Sequence, residues 1–189
     1  MLKLIRIAPL ALALAVLAPS AHADQKLVPA QSDISFVFKQ MGVPVEGLFK
    51  RFDAQIAFDP AKLDAAKMAF TVDLASATMG TPDIDTELPK ATWFNTAKFP
   101  QATFQSSAVK SLGGGKYEVS GKLAVKGNVR DVVVPVSLVA SGANTIASGS
   151  FPIKRLAFKI GENEWADTSM VADEVNVQFK LALTGVGKL

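Results

Sequence analysis

Hydrophobic and polar residues alternate with a period of two along most of this chain. In residues 32–41, for example, Ile34, Phe36 and Phe38 alternate with polar or smaller residues. Successive side chains of a β-strand point to opposite faces, so this pattern predicts strands with one apolar face. The same alternation recurs in residues 42–60, 67–75, 102–112, 116–126, 131–138, 146–160 and 174–184.

The number and spacing of these strands define the fold class. About eight or nine strands joined by short turns, with no long helix between them, predict an all-β antiparallel barrel or sandwich. Pro135 lies in the middle of one strand and Pro152 lies in the next. Because proline cannot donate a hydrogen bond to a ladder, we expect the sheet to close imperfectly between these two strands.

The second predicted strand places Leu48, Phe52, Ile56 and Phe58 on one apolar face. It follows the first strand through a turn that contains glycine, so the two should form a hairpin. The apolar positions change parity across Gly47, which predicts a β-bulge at that residue.

Residues 76–101 interrupt the alternation with a segment that is too long for an ordinary turn. Thr81 followed by Pro82 is typical of a helix start. Such segments are usually functional or disordered, and the apolar residues here favour a packed one. We therefore expect a partly helical flap over one end of the sheet, in which Trp93 and Phe94 either gate the interior or form a small core that holds the flap.

The inward faces of the strands supply a set of candidate site residues. An eight-stranded barrel can either fill its interior with side chains or hold one ligand, and a filled core is favoured by the pattern alone. The candidate lining residues are Ile34, Phe36, Phe38, Leu48, Phe52, Ile56, Phe70, Val72, Val134, Val136, Val177 and Phe179, and the flap adds Trp93 and Phe94.

The N-terminal residues have the pattern of a secretory signal peptide. Lys3 and Arg6 precede an apolar run, and Ala21-His22-Ala23 supplies an A-x-A cleavage site. The run is shorter than the roughly 20 residues that a membrane-spanning helix needs. We expect cleavage after Ala23, which separates a leader of residues 1–23 from a single periplasmic domain of residues 24–189.

Charge and composition exclude several functional classes. Loss of Lys3 and Arg6 with the leader reduces the 20 basic residues to 18, against 17 acidic ones. No basic cluster remains, so the electrostatic signature of a nucleic-acid-binding protein is missing. The domain has no Cys, and the chain's single His is His22 in the leader. It therefore lacks disulfides, the usual zinc and copper ligands, a thiol nucleophile and a histidine base.

The acidic residues Asp83, Asp85 and Glu87 in the flap could suggest a calcium site. They lack the glycine and the distal glutamate of an EF-hand loop, so acids in the first turn of a helix are the preferred interpretation. Neither these carboxylates nor Lys154 with Arg155 has a catalytic partner that spacing identifies. The sequence thus predicts no metal site, no cofactor and no enzymatic activity.

Several ordered segments of this chain resemble the YceI-like family of exported bacterial proteins. They are SDISFVFKQMG, VEGLFKRFDAQIAFDP, GTPDIDTELPKATWFNTAKFPQATFQS, VSGKLAVKGNVRDVVVPVSL and IKRLAFKIG followed by EW. The resemblance implies an up-and-down lipocalin-like barrel of about eight strands, whose apolar pore holds an isoprenoid or similar lipid chain such as a quinone. It favours a pore over a filled core. The chain departs from many relatives at Gln40, Asp85 and Glu87, where they carry histidine or arginine.

The leading hypothesis is therefore a periplasmic carrier or sequestering protein for an isoprenoid-type lipid, without nucleic acid as a partner and without stable membrane insertion. A ligand-free interaction module is the alternative, possibly a homodimer joined through an outward patch that includes Phe49. The third hypothesis is a hydrolase that acts on lipid-linked substrates through Asp83 or Asp85.

Overall fold

The computed structural model describes residues 25–187, and the predicted leader lies outside this range. Within it the chain forms eleven strands and short helical segments. The strands are β1 (Lys26–Leu27), β2 (Asp33–Gln40), β3 (Val43–Phe49), β4 (Phe52–Ala57), β5 (Lys67–Asp73), β6 (Ala77–Thr78), β7 (Gln101–Gly113), β8 (Lys116–Val125), β9 (Asn128–Ser141), β10 (Asn144–Lys154) and β11 (Val171–Thr184).

All strand pairs are antiparallel, and they form one sheet in the order β4-β5-β7-β8-β9-β10-β11-β2-β3-β6, with β1 paired to β11. Three pairs of consecutive short strands each form one bent strand of the curled sheet: β1 with β2, β3 with β4, and β5 with β6. The start of the bent strand β3–β4 pairs with β2, and its end pairs with β5. Counted in this way, the described residues form eight long strands, as in the predicted lipocalin-like all-β fold.

The hairpin of β2 and β3 is regular, and the predicted bulge at Gly47 is wrong. The ladder runs without a shift from Ile34 opposite Phe49 to Gln40 opposite Val43. Position 47 requires glycine because the ring of Phe36 lies over it, and a Cβ added there would be 2.3 Å from the ring. Glycine is used there for close approach, and not for a change of register.

The change of parity instead occurs at Lys50 and Arg51, between β3 and β4. Both residues are exposed. Odd-numbered residues such as Phe49 therefore face inward before the bend, and even-numbered residues such as Phe52 face inward after it. Phe49 consequently faces the interior, whereas Leu48 is 45% exposed. The prediction that Leu48 faces inward is therefore wrong, and so is the outward patch around Phe49.

The predicted weak pairing between the two proline-containing strands is confirmed. The β9–β10 ladder runs from Ser141 opposite Asn144 to Ser137 opposite Ser148 and ends just before Pro135. Pro135 cannot donate to a partner, and its carbonyl oxygen would lie only 2.1 Å from a Cβ on Gly149. The missing donor and the close approach of the two backbones end the ladder together.

The segment between β6 and β7 is the expected flap over one end of the barrel. It contains a short helix, α1 (Pro82–Asp85), and a series of turns. Leu88 and Phe94 of this segment are buried against Leu74, Val125 and residues of the β10–β11 connection. The flap is thus packed onto the barrel end by an apolar cluster.

Candidate functional site

The interior of the barrel is not filled. Two cavities adjoin along its axis: an outer chamber of about 490 Å³ beneath the flap and an inner chamber of about 160 Å³ toward the opposite end. Both are lined in part by the same five residues, Ile34, Val72, Leu123, Phe151 and Val177. These shared walls make the chambers two parts of one elongated interior.

The inner chamber presents only apolar surface. Its walls are inward-facing residues of β2, β4, β5 and β7 to β11, which the ladders hold in place. The Phe58 and Tyr117 rings line its far end together with Leu138, Leu183 and Val186, and the two rings meet edge to face with centroids 5.2 Å apart. No residue of this lining is exposed, and Phe58, Tyr117 and Leu183, at the end remote from the flap, are buried.

The outer chamber is wider and has polar groups at its rim. Gln40 at the end of β2 and Asp83 and Glu87 of the flap contribute to its lining. Asp83 and its apolar neighbour Ile84 are exposed and also line the chamber, which places the opening beside α1. A ligand can therefore reach the apolar interior from the flap end.

Exposed apolar side chains lie beside this opening. Met41 in the β2–β3 turn and Val43 at the start of β3 are 69% and 63% exposed. The backbone N–H of Met41 donates to the carbonyl of Met170, which is also exposed. The flap end thus presents apolar side chains to solvent as well as to the cavity.

Arg155 borders the outer chamber and is 1% exposed. Its guanidinium donates five hydrogen bonds, of 2.6 to 3.0 Å, and every acceptor is a backbone carbonyl of the β10–β11 connection or the start of β11. Desolvation lowers the pKa of this group, and the nearby Asp173 opposes the shift. Because all five N–H groups are used, Arg155 holds the loop and has no donor left for a ligand.

A second buried cation ties the flap to the same loop. The Nζ of Lys126 donates to the carbonyls of Ala91 and Lys159, both at 2.6 Å, and to the carboxylate of Glu162 at 2.8 Å. The hydrogen bond from Lys126 lowers the pKa of Glu162. Lys126 is 6% exposed, so this ion pair joins the flap and the β10–β11 connection from beneath.

The acidic residues of the flap have separate roles and do not converge. Asp85 accepts hydrogen bonds from the Thr78 hydroxyl and the Met79 backbone N–H, which lower its pKa. Glu87 forms an exposed ion pair with Lys90. Among residues 25–187, no three or more His, Cys, Asp or Glu side chains are placed to hold a metal ion.

The structure brings most of the predicted lining residues together around the two chambers. Ile56, Phe70, Val134, Val136 and Phe179 line the inner chamber, and Ile34, Val72 and Val177 line both. The outer chamber includes Phe36, Phe38, Trp93 and Phe94.

Leu48 and Phe52 do not contribute to either lining. Leu48 points to solvent, and Phe52 packs in the cluster around the inner chamber without reaching it. Phe94 belongs to the buried flap cluster, and Trp93 packs against it and against Trp165, at 5.4 Å between ring centroids. Trp93 and Phe94 thus belong to the small core that holds the flap and also line the outer chamber, and their gating of the interior stays a prediction.

Several lining residues were not among the candidates. Leu181 and Leu183 follow the alternation of the last strand, and Tyr117 follows that of β8, so their inward direction could be read from the sequence. Arg155 carried no such signal, because its partners are backbone carbonyls that only the folded loop brings together.

The part of the chain that the structure describes contains no helix that is long and apolar enough to cross a membrane.

Comparison with protein families gives a match over nearly the whole domain. The model of the YceI-like domain matches residues 25–183. An Azotobacter vinelandii UPF0312 protein is 33% identical over 110 residues, which cover 58% of this chain and 57% of that protein. An Ectopseudomonas mendocina UPF0312 protein is 31% identical over 140 residues, covering 72% and 73%. The chain thus spans less than two thirds of the first of these relatives.

Solved structures agree with the fold. Burkholderia cenocepacia BcnA is 46% identical, with a TM-score of 0.80, over 82% of this chain and 98% of that one. The Campylobacter jejuni YCEI protein is 25% identical, with a TM-score of 0.66, over 73% and 83%. A domain from Saccharophagus degradans, described as a polyisoprenoid binding domain, has a TM-score of 0.68 at 17% identity over 86% and 99%, and shares the fold.

Proposed function

Since this chain belongs to the YceI-like domain family, we propose that it carries or sequesters an isoprenoid-type lipid, a polyprenyl chain or a quinone, in the interior of its barrel. The domain acts by binding and not by chemistry. The polyisoprenoid-binding description of the Saccharophagus degradans neighbour supports this choice of ligand.

One observation carries the proposal: the barrel keeps an elongated apolar interior that its own side chains do not fill. Protein interiors are normally close-packed, and cavities larger than a water molecule are few. Burial of a methylene group is worth about 0.8 kcal/mol, so a long hydrocarbon gains affinity with each unit that enters such a space. A chain-like apolar ligand matches both the shape and the surface of the two chambers.

The difference between the chambers gives the ligand a direction. The inner chamber offers no polar surface, so it suits the hydrocarbon tail. The outer chamber has Gln40, Asp83 and Glu87 at its rim, where a polar group can remain hydrated. The N–H groups of Arg155 are all occupied by carbonyls, which favours an uncharged headgroup over one that needs a guanidinium partner.

A periplasmic location is part of the proposal. The leader pattern in residues 1–23 supports export. Fractionation of the bacterial host should release the protein with the periplasmic contents. Its measured mass should be that of a chain that begins at Asp24, after cleavage at Ala23. Recovery of the uncleaved chain in the cytoplasm would contradict this part.

The test of binding uses protein purified from the periplasm without added lipid. Native mass spectrometry should detect a bound lipid, and solvent extraction should identify it. Ala102 borders the outer chamber and Ala147 borders the inner one. Ala102→Phe and Ala147→Phe should therefore reduce occupancy, because the new ring takes the space of the ligand.

Ala140→Phe is the matched control, since Ala140 is exposed on β9. It adds the same ring outside the barrel and should leave occupancy unchanged. A wild-type protein that stays empty after incubation with polyprenols and quinones would overturn the proposed function.

A further inference from the structure

Two rings, Phe58 and Tyr117, line the end of the interior remote from the flap, and we name them the floor. Phe58 directly follows the end of β4, and Tyr117 lies near the start of β8. Both are 7% exposed and both line the inner chamber. A tail that enters from the flap end and fills the interior therefore meets these rings last.

Backbone hydrogen bonds hold the floor on both sides. The N–H of Phe58 donates to Oε1 of Gln25 at 2.8 Å, and Nε2 of Gln25 donates back to the carbonyl of Phe58. Tyr117 is paired with Ser111 on β7 and with Val136 on β9. These hydrogen bonds fix the backbone from which the two rings of the floor extend.

The opposite end of the interior is closed differently. Its cover consists of turns and the four-residue helix α1, and Ile84 on that helix is 39% exposed. A ligand that is too long has room to extend at the flap end only if its polar end leaves the rim. At the floor it meets the buried rings of Phe58 and Tyr117.

We propose that the floor sets the length of the hydrocarbon tail that this protein accepts, so that Phe58 and Tyr117 determine chain-length specificity. This inference rests on the proposed lipid-binding function. The floor acts as a fixed stop, and the distance from the rim to the stop selects the ligand.

The proposal predicts how affinity depends on tail length. Affinity should rise by up to about fourfold for each methylene that enters the apolar interior. Once the tail reaches the floor, the next isoprene unit should give no further gain and should weaken binding. The wild-type protein should therefore show a maximum in affinity at one chain length.

The experiment measures dissociation constants for all-trans polyprenols that differ by one isoprene unit, using the complete exported domain. Phe58→Ala removes a six-carbon ring from the floor and should move the maximum to a longer chain by about one unit. Phe58→Leu is the milder variant if Phe58→Ala does not fold, and it should move the maximum in the same direction by less.

Phe38→Ala is the matched control, because Phe38 lines the outer chamber and the substitution removes the same ring. If the floor is the stop, Phe38→Ala leaves the position of the maximum unchanged. If total volume decides the length, both variants shift the maximum equally, and the proposal is overturned.

The failures of the two proposals are distinguishable. A wild-type protein that binds no polyprenol refutes lipid binding, and chain-length selection with it. A wild-type protein that binds polyprenols with the same maximum before and after Phe58→Ala or Phe58→Leu retains the carrier function and refutes the floor.

Discussion

The two ends of the interior are built from the same strands but by different means. At the inner end, apolar side chains from paired strands form the wall, and Phe58 packs edge-on against Tyr117. At the outer end, loops form the cover, and buried charged groups hold their backbone. Polar groups in this protein thus organise the cover, whereas the interior that they cover is lined mainly by apolar side chains.

The largest effect is expected where the outer cover depends on one side chain. Arg155→Met keeps an apolar stem but leaves five backbone carbonyls without their donor. Unpaired buried polar groups cost about 1–3 kcal/mol each, and partial relaxation limits the total to about 3–5 kcal/mol. Urea denaturation should detect this loss in the free energy of unfolding.

Lys154→Met is the control for that variant. Lys154 is the preceding residue, is exposed and forms a surface ion pair with Glu174. Such pairs contribute about 0–1 kcal/mol, so this change should be nearly neutral. Equal losses for the two variants would show that Arg155 does not organise the cover.

A smaller effect should distinguish two glycines that lie beneath lining rings. A Cβ at Gly47 would collide with the Phe36 ring of the outer chamber, which can turn aside. A Cβ at Gly149 would collide with the Phe179 ring of the inner chamber and also, at 2.1 Å, with the backbone oxygen of Pro135. Both Gly→Ala variants should lose about 1–3 kcal/mol, with Gly149→Ala the more damaging.

Gly187→Ala serves as reference, because nothing lies within 4 Å of the added atom. Thermal or urea unfolding of the three variants measures the order. If Gly47→Ala is the most damaging, the outer wall is the more rigid of the two, contrary to our account.

Much of the inner chamber could be predicted from the sequence, because period-two alternation fixes which residues of a paired strand face inward. Phe70, Val134 and Phe179 follow that rule. The rule fails at Leu48, because the change of parity occurs at Lys50 and Arg51, in the bend between β3 and β4, and not at Gly47 as predicted. Alternation alone does not locate a bend when apolar residues flank it on both faces.

The outer chamber could be predicted only in part. The flap was expected from the loss of alternation and from its apolar residues, and Trp93 and Phe94 are indeed in its packed portion. The contacts that hold it were not predictable. Lys126 donates to atoms 33 to 36 residues away, and such partners depend on the loop conformation and not on a local pattern.

The smallest expected effect is a dependence of the cover on acid. Asp85 and Glu162 have lowered pKa values in the fold, against ordinary values of 3.8 and 4.5. At a pH above those ordinary pKa values, both carboxylates are ionised and their hydrogen bonds stabilise the cover. This contribution is lost as the pH falls through the lowered pKa values. The inner chamber has no ionisable group in its lining apart from Tyr117.

Tryptophan emission can measure this difference, because the two tryptophans, Trp93 and Trp165, both lie at the outer chamber. On acidification their emission should change before the far-ultraviolet circular dichroism of the sheet. Glu162→Gln should reduce the separation between the two transitions. Transitions that coincide in both proteins would mean that the cover has no acid-sensitive attachment of its own.

The position of a bound tail can be measured directly. A crystal structure with a polyprenol that carries bromine on its terminal isoprene unit would locate the end of the chain by anomalous scattering. We predict bromine in contact with Phe58 and Tyr117, with the hydroxyl near Gln40 at the outer rim. Bromine beside Ile84 at the flap, or a barrel interior without ligand density, would contradict a tail that extends from the rim to the floor.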